Sequence, residues 1–275
     1  MRRAAITRAD EAVTPVVLLL GVYLAILLGG SRLAEAADVR DVEPWIGLIA
    51  IAVATKFTIA IVDRGAWDLG LAIPPRDAAR SSLLGIAVAA AVVGSAHLAI
   101  LATTDARHLA GEGVSLLELL AIFAPAAIHE ELLFRGYPFQ RLEVWSPRVA
   151  IALSAILFGV VHVGNLAVSA IAVANIVLAG IMLTLAYLAT RNLWFPISLH
   201  LAWNVISGPF LGHEVSGYVP KGTLSRVIDP GPALLTGGEF GLEASLWATA
   251  AQLIAVAFLA HRVRRNAVER AAVVD

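Results

Sequence analysis

The stretch AIFAPAAIHEELLFR, residues 121–135, is an apolar run that ends in a histidine, two adjacent glutamates and an arginine. Its first half has the composition of a membrane helix. Its second half places ionisable groups where an insertion scale charges several kcal/mol for each, which makes every one of them a functional-site candidate. Pro125 interrupts the run and is expected to disturb the helix there. Working outward, the same apolar character recurs along the chain: 59% of its 275 residues are hydrophobic and 15% charged, against about a quarter charged in soluble domains. A spanning helix needs roughly 20 apolar residues, and eight segments of about that kind lie between charged punctuation, near 14–30, 43–62, 81–103, 115–134, 147–164, 166–190, 194–208 and 242–261. The expected fold is therefore all-α, a polytopic helical membrane bundle in one domain, residues 1–275. The fifth and seventh segments are short enough to be buried within the bundle.

The basic start MRRAAITR and the run Val16 to Leu28 are read as a first spanning helix rather than a cleaved leader. Of the 20 basic residues, Arg32, Arg40, Arg107, Lys221 and Arg226 fall in connections on one side and Lys56 lies within the second segment. The remaining fourteen gather on the other side. That bias places both termini in the cytoplasm. Net charge near zero and the absence of basic blocks exclude a nucleic-acid partner. Cysteine is absent, so disulfides, thiolate metal sites and cysteine nucleophiles are excluded too. The long connection from Gly208 to Glu239 is rich in glycine and proline and reads as a loop without chemistry, its His213 and Glu214 solvated. Ser169, Asn175 and Thr184 read as helix-packing polar residues.

Three polar clusters remain. In the first, Glu131 and Arg135 are four residues apart on one helical face, whereas Glu130 points about 100° away. Glu131 can then stay paired with Arg135 while Glu130 is free to take a proton from water. In the second, Phe158 and His162 stand one turn apart in an apolar helix. In the third, His200 and Asn204 share a face. Each has a plainer structural explanation: a charge cluster at a helix end, a packed histidine, an interhelical hydrogen-bond pair. Together they supply what amide hydrolysis needs, a base for the attacking water and donors for the oxyanion. Glu130, helped by His162, suits the first role, and His200 with Asn204 the second. No serine lies in a Gly-x-Ser-x-Gly setting. The His-Glu-x-x-His zinc pattern fails because Leu133 occupies its second histidine position, so a metal would have to be held across helices.

The order Glu-Glu-x-x-x-Arg, Phe-x-x-x-His, His-x-x-x-Asn over consecutive spans resembles the CAAX-protease and bacteriocin-processing family of intramembrane endopeptidases, which includes the prenyl-protein endoprotease type. The resemblance covers about residues 115–208, the expected catalytic core. It implies a hydrolase with catalytic residues Glu130, Glu131, Arg135, His162, His200 and Asn204, acting on a peptide or lipidated protein at the bilayer. It leaves the metal open. A glutamate-activated water without a tightly held ion is favoured, and a divalent ion such as zinc would be held by Glu130, His162 and His200. The alanine- and arginine-rich composition points to a bacterial inner membrane. A non-catalytic scaffold or immunity protein and a transporter are the competing classes; the transporter would need paired repeats with discontinuous helices. Because the charge cluster ends the fourth span, the shared cavity is expected to open to the cytoplasm. His162, however, comes some 14 residues, about 20 Å, after Arg148. It meets Glu130 only if the fifth helix starts well below the membrane face or the fourth is broken at Pro125.

Overall fold

The computed structural model describes residues 6, 8–228 and 231–272; Arg2 and Arg3, counted in the charge bias, lie outside them. The chain is helical nearly throughout. Three long helices come first: α1 (Ala9–Ala36), α2 (Glu43–Val62) and α3 (Pro75–Thr103). After strand β1 (Arg107–Ala110), the short α4 (Leu116–Glu118) passes through a π-helical turn (Leu119–Phe123) into α5 (Ala124–Phe134). Next come α6 (Tyr137–Trp145), α7 (Pro147–Val161), α8 (Ala170–Thr190) and α9 (Trp194–Val205), the last running into a second π-helical turn (Ile206–Phe210). Strand β2 (Ser225–Ile228), α10 (Ala233–Thr236) and α11 (Leu246–Ala271) complete the described chain. The two strands pair antiparallel, His108 opposite Val227.

Local chemistry explains the boundaries. Proline occupies the first turn of α2, α3, α6 and α7, where its missing N–H would have had no partner. Ser169 caps α8 by accepting from the Ala172 N–H, and Ser245 caps α11 by accepting from Ala248. The π turn before Pro125 and the one containing Pro209 widen the helix where a proline ring would strike the carbonyl four residues back. At Pro125 the chain thus continues through a widened turn instead of breaking.

By length and composition, α1, α2, α3, α8 and α11 are long and apolar enough to cross a membrane. The three remaining expected spans are α4–α5, α7 and α9, and these carry the polar clusters. α9 is largely buried, as expected for a short helix inside the bundle. α7 is not: Leu153, Ile156, Leu157 and Val160 form an exposed apolar stripe, a surface suited to lipid. α5 lies between two apolar clusters. Leu132 belongs to the one built on α1, α2 and α6, while Phe134 belongs to the one built on α3, α7, α8, α9 and α11. Gly180 lets α8 close on α7; a Cβ there would meet the Ala155 Cα at 2.9 Å.

The amphipathic α6 has no counterpart among the eight expected segments. It packs on the connection between α2 and α3: the Tyr137 hydroxyl donates to Asp63 at 2.6 Å, Gln140 donates to the Leu69 carbonyl, and Arg141 pairs with Asp63. Leu193 donates to the Gly70 carbonyl and Arg191 pairs with Glu143, so α6, connection 63–74 and turn 191–193 make one end of the bundle. The other end holds β1–β2, the Lys221–Asp41 pair and a bond from Asn165 to the Ser216 carbonyl. α6 is thus inserted between α5 and α7.

Candidate active site

Arg135 is fully buried, as is its partner Glu131. One guanidinium nitrogen donates to Glu131 Oε1 at 3.0 Å, another to the Gly180 carbonyl at 2.9 Å, and Nε lies 3.4 Å from the Thr184 hydroxyl. The cation also lies 4.5 Å from the Phe158 ring centre. The expected pairing on one helical face is therefore present. A buried charge needs its remaining donors met as well, and α8 meets them.

Glu131 Oε1 accepts a second bond, from His200 Nδ1 at 2.9 Å. With Nδ1 spent in this way, His200 presents Nε2 to Glu130 Oε2 at 3.9 Å. His162 does the same from the opposite side. It sits at the C-cap of α7 rather than inside the helix, its Nδ1 donates to the Phe158 carbonyl at 2.6 Å, and its Nε2 is also 3.9 Å from Glu130 Oε2. Phe158 spaces the two imidazoles, its ring centre 5.0 Å from that of His162 and 5.9 Å from that of His200. Asn204, one turn beyond His200, lines the same cavity. The structure thus brings together all six residues singled out in the sequence.

Glu130 Oε2 has no hydrogen-bond partner within the described protein. Around it stand two ring nitrogens whose neutral forms carry lone pairs, because both Nδ1 atoms already donate. Two imidazole nitrogens, each 3.9 Å from one carboxylate oxygen, leave room for a species that offers hydrogens or positive charge: a water molecule, a proton on an imidazole, or a metal ion. Among the described residues no three histidine or acidic side chains are drawn together as a formed metal cluster. The donor set nevertheless fits a divalent ion, since each imidazole is oriented by a bond from its other nitrogen to a carboxylate or carbonyl.

The cavity holds about 870 Å³ and is mostly apolar, with Phe123, Leu133, Ile176 and Met182 among its walls. Two features had been given no part in the site. His129 lines it beside Tyr23, with Nε2 and the hydroxyl 2.9 Å apart, in space that Gly47 leaves open. The long connection, read as a loop without chemistry, supplies Val215 to Val219 to the cavity wall. That segment is held by two carboxylates. Glu118 accepts from the Tyr218 hydroxyl and from the Lys221 and Gly222 N–H groups, and Glu243 accepts from the Ser216 N–H and hydroxyl and from Trp203 Nε1. Burial and the adjacent Glu118 carboxylate raise the Tyr218 phenol pKa above its ordinary value, so it stays a donor. No short-range pattern could have signalled contacts spanning a hundred residues.

One expectation is corrected here: His213 is not solvated but buried, its Nε2 2.8 Å from His97 Nδ1. The connection residues lining the cavity come from 164–166 and 215–219. Thr184 packs helices as read, and it also contacts Arg135. Asn175 donates to the Glu243 and Ser245 carbonyls, a packing role.

No curated protein matches the chain. A family model does match, over residues 112–206, a span that holds all three polar clusters and ends just past Asn204. Residues 112–206 are thus similar to the Rce1-like family of type II CAAX prenyl endopeptidases, and together with the long apolar helices the match supports an integral membrane protein of the CAAX-protease type.

Proposed function

We propose that the chain hydrolyses a peptide bond of a membrane-associated substrate with a water molecule activated by Glu130. The observation that carries this reading is the gap between Glu130 Oε2 and the two Nε2 atoms, 3.9 Å on each side, with the carboxylate oxygen lacking a protein partner. A water there donates one hydrogen to Glu130 and the other to neutral His162, leaving a lone pair for the scissile carbonyl carbon. As the C–O bond forms, Glu130 accepts the proton and later passes it to the leaving amine. His200 carries a proton, which balances two carboxylates against one guanidinium, and donates it from Nε2 with the Asn204 amide to the developing oxyanion. Glu131, clamped by Arg135, fixes the His200 ring. The domain assignment follows: one membrane domain with its catalytic core in about 115–208.

A second reading is favoured by the same acceptor-only geometry. In it Glu130, His162 and His200 hold a divalent ion such as zinc, which when bound supplies a Lewis acid and an acidified water.

The deciding experiment incubates detergent-purified protein with a library of peptides and lipopeptides, wild type beside Glu130→Gln, with metal analysis of the same sample. Cleavage by the wild type and its loss in a folded Glu130→Gln variant support hydrolysis. Equal cleavage by both, or none by either, refutes it and returns the chain to the scaffold class.

A further inference from the structure

The cavity and the basic residues lie at opposite ends of the bundle. Asn165, Leu166, Val215, Tyr218 and Val219 represent the connections that line the cavity, and no residue of connection 63–74, α6 or turn 191–193 joins them. Beneath Glu130 the bundle is closed by Arg135 and Tyr137, both fully buried. That closed end carries Arg64, Arg76, Arg80, Arg141, Arg148 and Arg191, with Arg262, Arg264 and Arg265 near the end of α11. The open end has Arg32, Arg40, Arg107, Lys221 and Arg226. Lysine and arginine in short connections and flanks are retained on the cytoplasmic side of a membrane. We propose that the closed end faces the cytoplasm and that the cavity opens to the non-cytoplasmic side.

If the proteolytic reading holds, on which this last step rests, the substrate is a peptide segment displayed at the outer surface of the bilayer and not a cytoplasmic chain terminus. The wall of the cavity fits a segment that leaves the membrane there. Leu166 and Val219 are exposed at the rim, and Leu116, Leu117 and Leu120 extend an apolar surface beside it, so a chain arriving along the lipid meets apolar side chains before it meets Glu130.

The chain has no cysteine, so single cysteines can be labelled without background. In intact cells a membrane-impermeant maleimide is expected to label Leu166→Cys and Val219→Cys, and to label Ala66→Cys only after permeabilisation. The reverse pattern overturns the orientation. A second arm supplies an impermeant internally quenched peptide mixture to right-side-out vesicles, wild type beside Glu130→Gln. Cleavage without lysis is expected; cleavage that needs lysis overturns the proposal. If neither vesicles nor solubilised protein cleave the mixture while the labelling follows the expected pattern, the orientation stands and the proteolytic reading falls.

Discussion

His200 Nδ1 and Arg135 Nη1 donate to the same oxygen of Glu131, at 2.9 and 3.0 Å. The carboxylate is thereby a rigid bracket between α5 and α9, and the orientation of the His200 ring depends on it. Each glutamate keeps its Oε2 without a hydrogen-bond partner, but only that of Glu130, the preceding residue, lies 3.9 Å from both imidazoles. Two neighbouring glutamates of identical chemistry have been given different work by a turn of about 100°.

That difference predicts distinct outcomes for the two isosteric variants. Glu130→Gln is expected to lower peptidase activity by at least about 10²–10⁴-fold, the range for a lost general base, with the thermal midpoint in detergent nearly unchanged. Glu131→Gln is expected to lower both activity and midpoint, because Arg135 then lies buried without its counter-charge, a loss of about 3–5 kcal/mol. Equal thermal shifts for the two variants would refute the division of labour.

Arg135→Lys is expected to behave as a disruptive change. A point charge cannot reach Glu131, the Gly180 carbonyl and Thr184 together or stack on Phe158. Thermal unfolding should show a loss near that of Arg135→Met, and retention of wild-type stability would remove the case for a planar fork.

The proposed mechanism predicts that cleavage survives dialysis against EDTA or phenanthroline. Loss of activity on chelation, restored by zinc and accompanied by about one ion per chain in the untreated sample, would instead establish the second reading. Under that reading His162→Ala and His200→Ala each lower the bound metal.

Acid sensitivity should arise away from the site. Burial, together with the rings of His97 and His108, lowers the His213 pKa from the ordinary 6.5 to about 3. Ser225 donates to the Phe210 carbonyl, so His108 Nδ1 donates to Ser225, and neutral rings then order the row as His97 Nε2–H to His108 and His213 Nε2–H to His97. Between pH 3 and 6.5 the unfolded chain binds a proton at His213 that the folded chain refuses. The stability contributed by this residue is complete above pH 6.5 and is lost as the pH falls towards 3. Thermal midpoints measured at pH 7.5 and 4.5 should differ less in His213→Asn than in the wild type, and an unchanged or larger difference would refute the assignment.

Much of the architecture was legible because membrane helices announce themselves one segment at a time. A run of about 20 apolar residues carries its own hydrogen bonds and its own solvent preference. The pairing of Glu131 with Arg135 and the shared face of His200 and Asn204 were readable for a related reason, since helical period alone brings residues four apart together. α6 was not readable, because a nine-residue amphipathic helix has neither the length nor the apolarity of a span, and its stability comes from Asp63 and the Leu69 carbonyl.

The sequence by itself determined that this is a bundle of membrane helices and which polar side chains lie among them, since both follow from local composition and helical spacing. Only the tertiary structure decided that two imidazoles stand 3.9 Å from one glutamate oxygen, that the Gly180 carbonyl and Thr184 complete the arginine's bonds, and that segments 164–166 and 215–219 line the cavity. Those relationships join residues tens of positions apart on different helices. They depend on how helices of fixed length are offset and packed, which no local rule carries.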